Sequence, residues 1–299
     1  MHQIYEKKQM LSKILCERNK HERDSNIIFY EEGHKYSIIT DIDSTYTSVT
    51  TFNKYNFAEF DAYKIINGMM KSKLWKEGHK YWGMTVEEIK DVWTKNGADA
   101  SGAGTDLHYD IECFMNQDLM DEYNNELKYD HGDLLQIYEE ELKNENSIMN
   151  TSEEFEFFLR FVKENSKLIP YRTEWLIYNE DLKLAGSIDM VYENPDGTLK
   201  IYDWKRCKEI LKTNKYDKYG LLECISHLPD TKFWHYSLQL NMYKAILEEK
   251  YGKKVTDLYL VRLHPNNINK TYELIRCADL STEVSELFED RKIKLNTLK

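Results

Sequence analysis

The residues best suited to chemistry lie between Leu184 and Lys205, in LAGSIDMVYENPDGTLKIYDWK. This stretch reads as two strands, Leu184 to Tyr192 and Thr198 to Asp203, joined by the turn Asn194-Pro195-Asp196-Gly197. Each strand carries an acidic residue where a strand prefers apolar ones: Asp189 in the first, and Asp203 at the end of the second. Lys205 follows Asp203 by two positions and shares its face if the strand continues. Two carboxylates and an ammonium converging at a sheet end would hold a divalent cation and a phosphate. The competing reading is a solvent-exposed hairpin with ordinary surface charges.

The neighbouring segments must position these groups. Tyr171–Tyr178 predicts a preceding strand with Glu174 inside it, and Asn179-Glu180-Asp181 turns it antiparallel to the next. A charge within an apolar strand is costly unless paired or metal-bound. Upstream, His108 and Glu112 are four apart on one helical face. The glycines before them, Gly102 and Gly104, predict a close backbone approach at the start of that helix. Gly186 is expected to relieve crowding where the His108 helix meets the sheet. Downstream, Phe233 opens a helix ending near Lys250, with Gln239 and Tyr243 four apart on one face and His235 one turn earlier.

The rest of the chain predicts a frame. Residues 3–20 read as a short helix, and Ile27–Tyr30, Lys35–Ile39 and Tyr46–Phe52 as strands of a small antiparallel sheet. From Ala58 to Trp82 the pattern is helical, with Lys64, Lys71, Lys73, Lys76 and Lys80 among Tyr63, Trp75, Tyr81 and Trp82. Such interleaving suits a surface that holds phosphates while stacking bases; an amphipathic helix packed by its aromatics explains it equally. Residues 85–97 predict a helix opened by the capping box Thr85 and Glu88. Residues 127–147 predict exterior helix, and the Phe-rich run after Ser152 a core-facing helix. Strands at Lys254–Leu263 and Thr271–Ile275, a C-terminal helix and the basic tail RKIKLNTLK close the chain. The division expected is residues 1–100 as accessory strands and helices along the substrate path, and 101–299 as the core.

Composition sets bounds. The 299 residues carry 41 basic and 52 acidic side chains, a formal net charge of -11, which argues against coating of nucleic acid by the whole surface. Between Lys205 and Lys218 the balance reverses, with six basic residues against two acidic, as a phosphate path or a merely solvated loop would have. Five scattered cysteines form no CxxC pair, so a zinc knuckle or disulfide framework is not expected. No apolar run reaches the roughly 20 residues of a membrane span, and the N-terminus has no apolar signal core. An intracellular, soluble protein is expected. No Walker-type loop is present, so no ATP hydrolysis is expected.

Gly186-x-x-Asp189 followed by Asp203-x-Lys205 resembles the core of the PD-(D/E)xK nucleases, particularly their RecB-like exonuclease branch of phage, viral, CRISPR-adaptation and mitochondrial genome-maintenance types. Other parts resemble it in the same order: Ser48-Val49-Thr50, Gly104-Thr105-x-x-His108, the strand residue Glu174, and Gln239-x-x-x-Tyr243. The resemblance implies an α/β restriction-endonuclease-like core, a mixed central sheet flanked by helices, with a small N-terminal sheet and helical elaboration. It implies Asp189 and Asp203 as principal ligands of one or two Mg²⁺ or Mn²⁺ ions, assisted by His108, the Trp204 carbonyl and Glu174. Lys205 is the expected catalytic ammonium, Gln239 an orienting residue, and Thr105, Arg206, Lys208, Lys212, Lys215, His235 and Tyr243 the expected substrate contacts. The cysteine grouping that carries an iron–sulfur cluster in some relatives is absent, so no cluster is expected. The implied activity is hydrolysis of DNA phosphodiester bonds, more as an exonuclease than an endonuclease. Expected partners are DNA and proteins of replication, recombination or repair. The alternative is a catalytically weak nucleic-acid-binding or partner-dependent subunit. Lys205→Ala is expected to leave folding nearly intact while removing activity.

Overall fold

The computed structural model describes residues 14–117, 129–143 and 150–297. In chain order the elements that matter are α1 (Ile14–Arg18), β1 (Ile27–Tyr30), β2 (Lys35–Ile38), β3 (Thr47–Ser48), α2 (Val49–Lys54), α3 (Ala62–Met70), α4 (Val86–Met115), α5 (His131–Lys143) and α6 (Glu153–Glu164). There follow β4 (Ile169–Asn179), β5 (Leu184–Glu193), β6 (Leu199–Lys205), α7 (Lys232–Lys250), β7 (Val255–Arg262), β8 (Glu273–Arg276) and α8 (Ser281–Thr297). β1 and β2 form a separate antiparallel pair, and the other six strands one mixed sheet. The β5–β6 turn closes as the sequence predicts: Gly197 donates to the Asn194 carbonyl at 2.9 Å and takes a φ of 80°, which glycine tolerates at no steric cost. β6 and β7 run parallel, which requires a crossover, and α7 supplies it.

Helices cover both faces of this sheet. One layer buries Trp175, Ile177, Ile201 and Leu260 against Leu238 and Met242 of α7 and Leu287 of α8. The other buries Met190, Tyr192, Trp204 and Val261 against Leu107 and Phe114 of α4 and Phe158 and Phe161 of α6. The fold is thus α/β, with a mixed central sheet between helices and a small separate N-terminal sheet. Among the described residues no helix is long and apolar enough to cross a membrane.

Several expectations need correction. The strand expected over Tyr46–Phe52 stops at Ser48, whose hydroxyl accepts the Thr51 N–H at 3.0 Å and caps α2 instead. Local capping outweighs the β-branched run. The helix expected from Ala58 to Trp82 covers only Ala62–Met70. By contrast, the helix expected over 85–97 continues for 30 residues, through Gly97, Gly102 and Gly104. The capping box is present, with the Thr85 hydroxyl accepting the Glu88 N–H at 3.2 Å and the Glu88 carboxylate accepting the Thr85 N–H at 2.7 Å. Gly102 and Gly104 face open space, so they serve no close approach. Of the segments expected to be helical at 3–20 and 127–147, residues 3–13, 127–128 and 144–147 lie outside the described residues, as does the end of the basic tail.

His131, at the start of α5, is fully buried. Its Nε2 lies 2.9 Å from the Tyr192 hydroxyl, and the two rings meet edge-on at 5.1 Å. Burial pushes its pKa down to about 4. The unfolded chain therefore takes up a proton below its ordinary value of about 6.5 that the folded chain refuses until near 4. Stability from this residue is complete above about 6.5 and is lost as pH falls toward 4. Urea unfolding at pH 7 and pH 5 should show His131→Gln losing about 2 kcal/mol less across that interval than the wild type. Equal losses would show that His131 is not the group responsible.

Candidate metal centre

The site forms where β5 loses a neighbour. β4 pairs along one edge of β5, so β3 and β6 share the other: β3 at Leu184 and Ala185, β6 from Met190 to Glu193. Between them, residues 186–189 have no strand partner on that edge among the described residues. On the β4 side, Thr173 pairs with Met190 and Trp175 with Ile188, which sets Glu174 opposite Asp189. Like charges directly opposed across a ladder are unfavourable. Glu174 also holds a φ of 42°, a left-handed conformation that costs a non-glycine residue about 1–3 kcal/mol. Side-chain alternation shifts here too. Leu184 and Ile188 lie in the α7 layer, whereas Met190 and Tyr192 lie in the α4 layer.

Ligand atoms of His108, Glu174 and Asp189 all lie within 4.8 Å of one another. His108 Nε2 is 2.9 Å from the Trp204 carbonyl oxygen, and its Nδ1 is 3.5 Å from Asp189 Oδ2. The carbonyl can only accept, so Nε2 carries a proton, and Nδ1 is the ring nitrogen that faces Asp189. Asp189 Oδ2 in turn accepts the Trp204 N–H at 3.1 Å. Ser187 Oγ donates to Glu174 Oε2 at 2.7 Å. Burial and the nearby Asp189 raise the Glu174 pKa. Two carboxylates held this close repel each other, and a cation would relieve that repulsion. Imidazole with two carboxylates suits a hard or borderline divalent ion such as Mg²⁺ or Mn²⁺.

Asp203 stands apart from those three. It is 2% exposed and ion-paired with Lys205. The strand period sets this pairing, since positions two apart share a face. Trp204 points the other way, edge-on to Phe158 and Phe161 at 5.6 Å each. Burial raises the Asp203 pKa, with Lys205 opposing and Asp189 reinforcing the shift. Burial works against the Lys205 ammonium, yet Asp203 and Asp189 outweigh it and hold it protonated. Tyr236 of α7 places its ring 4.8 Å from the Lys205 Nζ. One turn beyond His108, burial pushes Glu112 up to about 7.

Gln239 Nε2 donates to the Tyr243 hydroxyl at 3.2 Å. Tyr243 is the reason for Gly186: a Cβ there would meet its ring at 2.7 Å. The close approach is therefore to α7, not to the His108 helix. Among the expected substrate contacts, Lys208, Lys212 and Lys215 are exposed, with Lys212 Nζ 4.6 Å from the Phe233 ring. Thr105 is exposed on α4 and donates to the Ser101 carbonyl at 3.1 Å. Arg206 is paired with Glu154 at 2.7 Å. His235 lies 2.8 Å from Asp230 and stacks on Phe57 at 3.8 Å between centroids. Sequence reasoning missed Ser187 and Tyr236. Ser187 is two residues from Asp189 and Tyr236 three from Gln239, spacings that could have marked both.

Residues 87–296 match the PD-(D/E)XK nuclease superfamily, and the chain belongs to it. No curated protein matches the chain.

Two measurements check this geometry. Adding Mn²⁺ should raise the melting temperature of the wild type, equivalent to about 2.7 kcal/mol at a hundred times the dissociation constant. Asp189→Asn should remove most of that rise; an undiminished rise would place the cation elsewhere. Gly186→Ala should cost about 1–3 kcal/mol by overpacking Tyr243, and adding Tyr243→Leu should recover part of it. If the single variant unfolds in urea like the wild type, the contact is not the constraint.

Proposed function

We propose that this protein is a divalent-cation-dependent deoxyribonuclease, an exonuclease of the RecB-like branch that hydrolyses phosphodiester bonds from DNA ends. The observation that carries the reading is the convergence of His108, Glu174 and Asp189 beside the Asp203–Lys205 ion pair within a superfamily of nucleases. Bound Mg²⁺ or Mn²⁺, as one or two ions, would lower the pKa of a coordinated water and neutralise charge on the scissile phosphate. His108, Asp189 and Glu174 would hold the ion, with Asp203 and the Trp204 carbonyl contributing from β6. The backbone of Trp204 touches both ligands, its N–H donating to Asp189 and its carbonyl accepting from His108, so one residue ties the two together. Lys205 supplies a fixed positive charge where the phosphate accumulates negative charge, or positions the attacking water. Ser187 orients Glu174, and the Gln239–Tyr243 pair supports the sheet beneath the site. The exposed lysines after Lys205 would carry the DNA backbone toward the site. Residues 1–100 would contribute to the DNA path. Products would carry 5′-phosphate and 3′-hydroxyl ends.

The test is cleavage of matched linear and covalently closed DNA, single- and double-stranded, with Mn²⁺ or Mg²⁺ and an EDTA control. Lys205→Ala alone is a poor control, because it leaves the buried Asp203 carboxylate without its partner. Removing one partner of a buried ion pair costs about 3–5 kcal/mol. The double variant Asp203→Asn/Lys205→Met removes both charges and should remain folded by circular dichroism while losing at least about a thousandfold in rate. Metal-dependent loss of linear DNA alone, absent in the double variant, supports the exonuclease reading. Cleavage of closed circles makes the protein an endonuclease. Binding without cleavage favours a partner-dependent or binding subunit, and full activity in the double variant removes the assignment of the site.

A further inference from the structure

A second feature lies outside the metal centre. An open cleft of about 1160 Å³ runs between α3 and the loop that joins β6 to α7. Its lining includes Phe60, Tyr63 and Tyr216, which are 66%, 43% and 80% exposed. Lys64, Lys90 and Lys218 line it beside these rings. Two carboxylates also line it: Glu59, and Asp61, which caps α3 by accepting the Lys64 N–H at 2.9 Å. Ammonium groups therefore outnumber carboxylates in a protein whose net charge is -11. Lys90 lies 4.2 Å from the centre of the Tyr63 ring, with its Nζ 2.7 Å from the Tyr63 hydroxyl, so this ring is held in place.

We propose that this cleft binds an unpaired DNA strand, stacking its bases on Phe60, Tyr63 and Tyr216 and pairing its phosphates with the lysines. Three solvated aromatic rings in one cleft are costly to maintain in water and are the usual mark of a binding surface. The cleft exceeds the roughly 300–1,000 Å³ of a small-molecule pocket, and its open form suits a chain rather than an enclosed ligand. Rings and ammonium groups in one cleft suit the bases and phosphates of a strand. A duplex hides its base faces within the stack, so only an unpaired strand can use these rings. One wall of the cleft comes from the chain segment that follows the proposed active site. Tyr216 and Lys218 belong to the basic loop that begins at Lys205. From Phe60, ring contacts of 6.2 Å each lead to Trp93 and on to Tyr81. This inference rests on the nuclease reading and adds to it the strand state of the DNA.

The experiment is fluorescence anisotropy with the full chain in EDTA, so that nothing is cleaved. The probes are a labelled oligothymidylate, an abasic oligonucleotide of equal length and a blunt duplex. The wild type should bind oligothymidylate at least about tenfold more tightly than the abasic strand, the scale of one or two stacked bases. Phe60→Ala/Tyr216→Ala should erase that difference, whereas Phe60→Tyr/Tyr216→Phe should keep it within about threefold. Both sites are exposed, so neither variant should unfold. Equal binding of abasic and base-bearing strands, tighter binding of duplex, or indifference to the alanine pair would each overturn the proposal. Cleavage of the same oligonucleotide with Mn²⁺ is read separately. Binding without cleavage would sink the nuclease reading and leave the cleft standing, whereas cleavage indifferent to the aromatic changes would sink the cleft alone.

Discussion

The opposition of Glu174 and Asp189 across two strands is the constraint on which the rest of the site depends. An ordinary sheet would avoid two carboxylates at that spacing. Here the protein accepts repulsion, a left-handed backbone at Glu174 and a shift in side-chain alternation, all at one point. Such costs persist only where the surroundings impose them. The surroundings do so from both sides. β3 and β6 hold the two ends of the same β5 edge, and Tyr243 fills the space left by Gly186. The gap in the sheet and the charge cluster are one feature seen in backbone and side-chain terms.

That feature also explains the role of the outer elements. The C-terminal helix sends Arg291 back to the Leu182 and Lys183 carbonyls and to the Thr47 hydroxyl, tying β3 to the start of β5. On the opposite face, Trp204 packs edge-on to Phe158 and Phe161, which fixes the residue whose N–H and carbonyl hold Asp189 and His108. Aromatic packing in the α4 and α6 layer therefore sets the hydrogen-bond geometry of the site. Such coupling is expected where an interior is close-packed and transmits displacement.

What the sequence made legible follows from periodicity and turn chemistry. The β5–β6 hairpin, the face shared by Asp203 and Lys205, and the α7 pair Gln239 and Tyr243 all obey fixed local periods, so they could be read directly. The convergence of His108 with Glu174 and Asp189 followed from the resemblance, since nothing local joins a helix at residue 108 to strands some 70 residues later. The left-handed Glu174 was not legible, because a positive φ at a residue other than glycine has no compositional mark. Nor was the 30-residue α4, because its three glycines argue locally for a break. Tertiary packing at its two ends, through Ile89 and through Leu107 to Met115, outweighs a glycine penalty of about 1 kcal/mol each. The partner of Gly186 was misassigned for a related reason: glycine signals close approach but not which element approaches.

The pairing of Asp203 with Lys205 has a consequence for the charge of the whole centre. Lys205 sits among Asp203, Asp189 and the Tyr236 ring with little access to water, so its ammonium is balanced by protein groups rather than by solvent. A cation arriving at His108, Glu174 and Asp189 would draw on Asp189, which also helps to hold Lys205 charged. One oxygen of Asp203 is already committed to the ammonium, which leaves it a single oxygen to offer. The ammonium and the cation would thus compete for the same pair of carboxylates, and a phosphate placed between them would relieve that competition by supplying further negative charge. At this centre, a cation would therefore strengthen the hold on a phosphate through electrostatics alone.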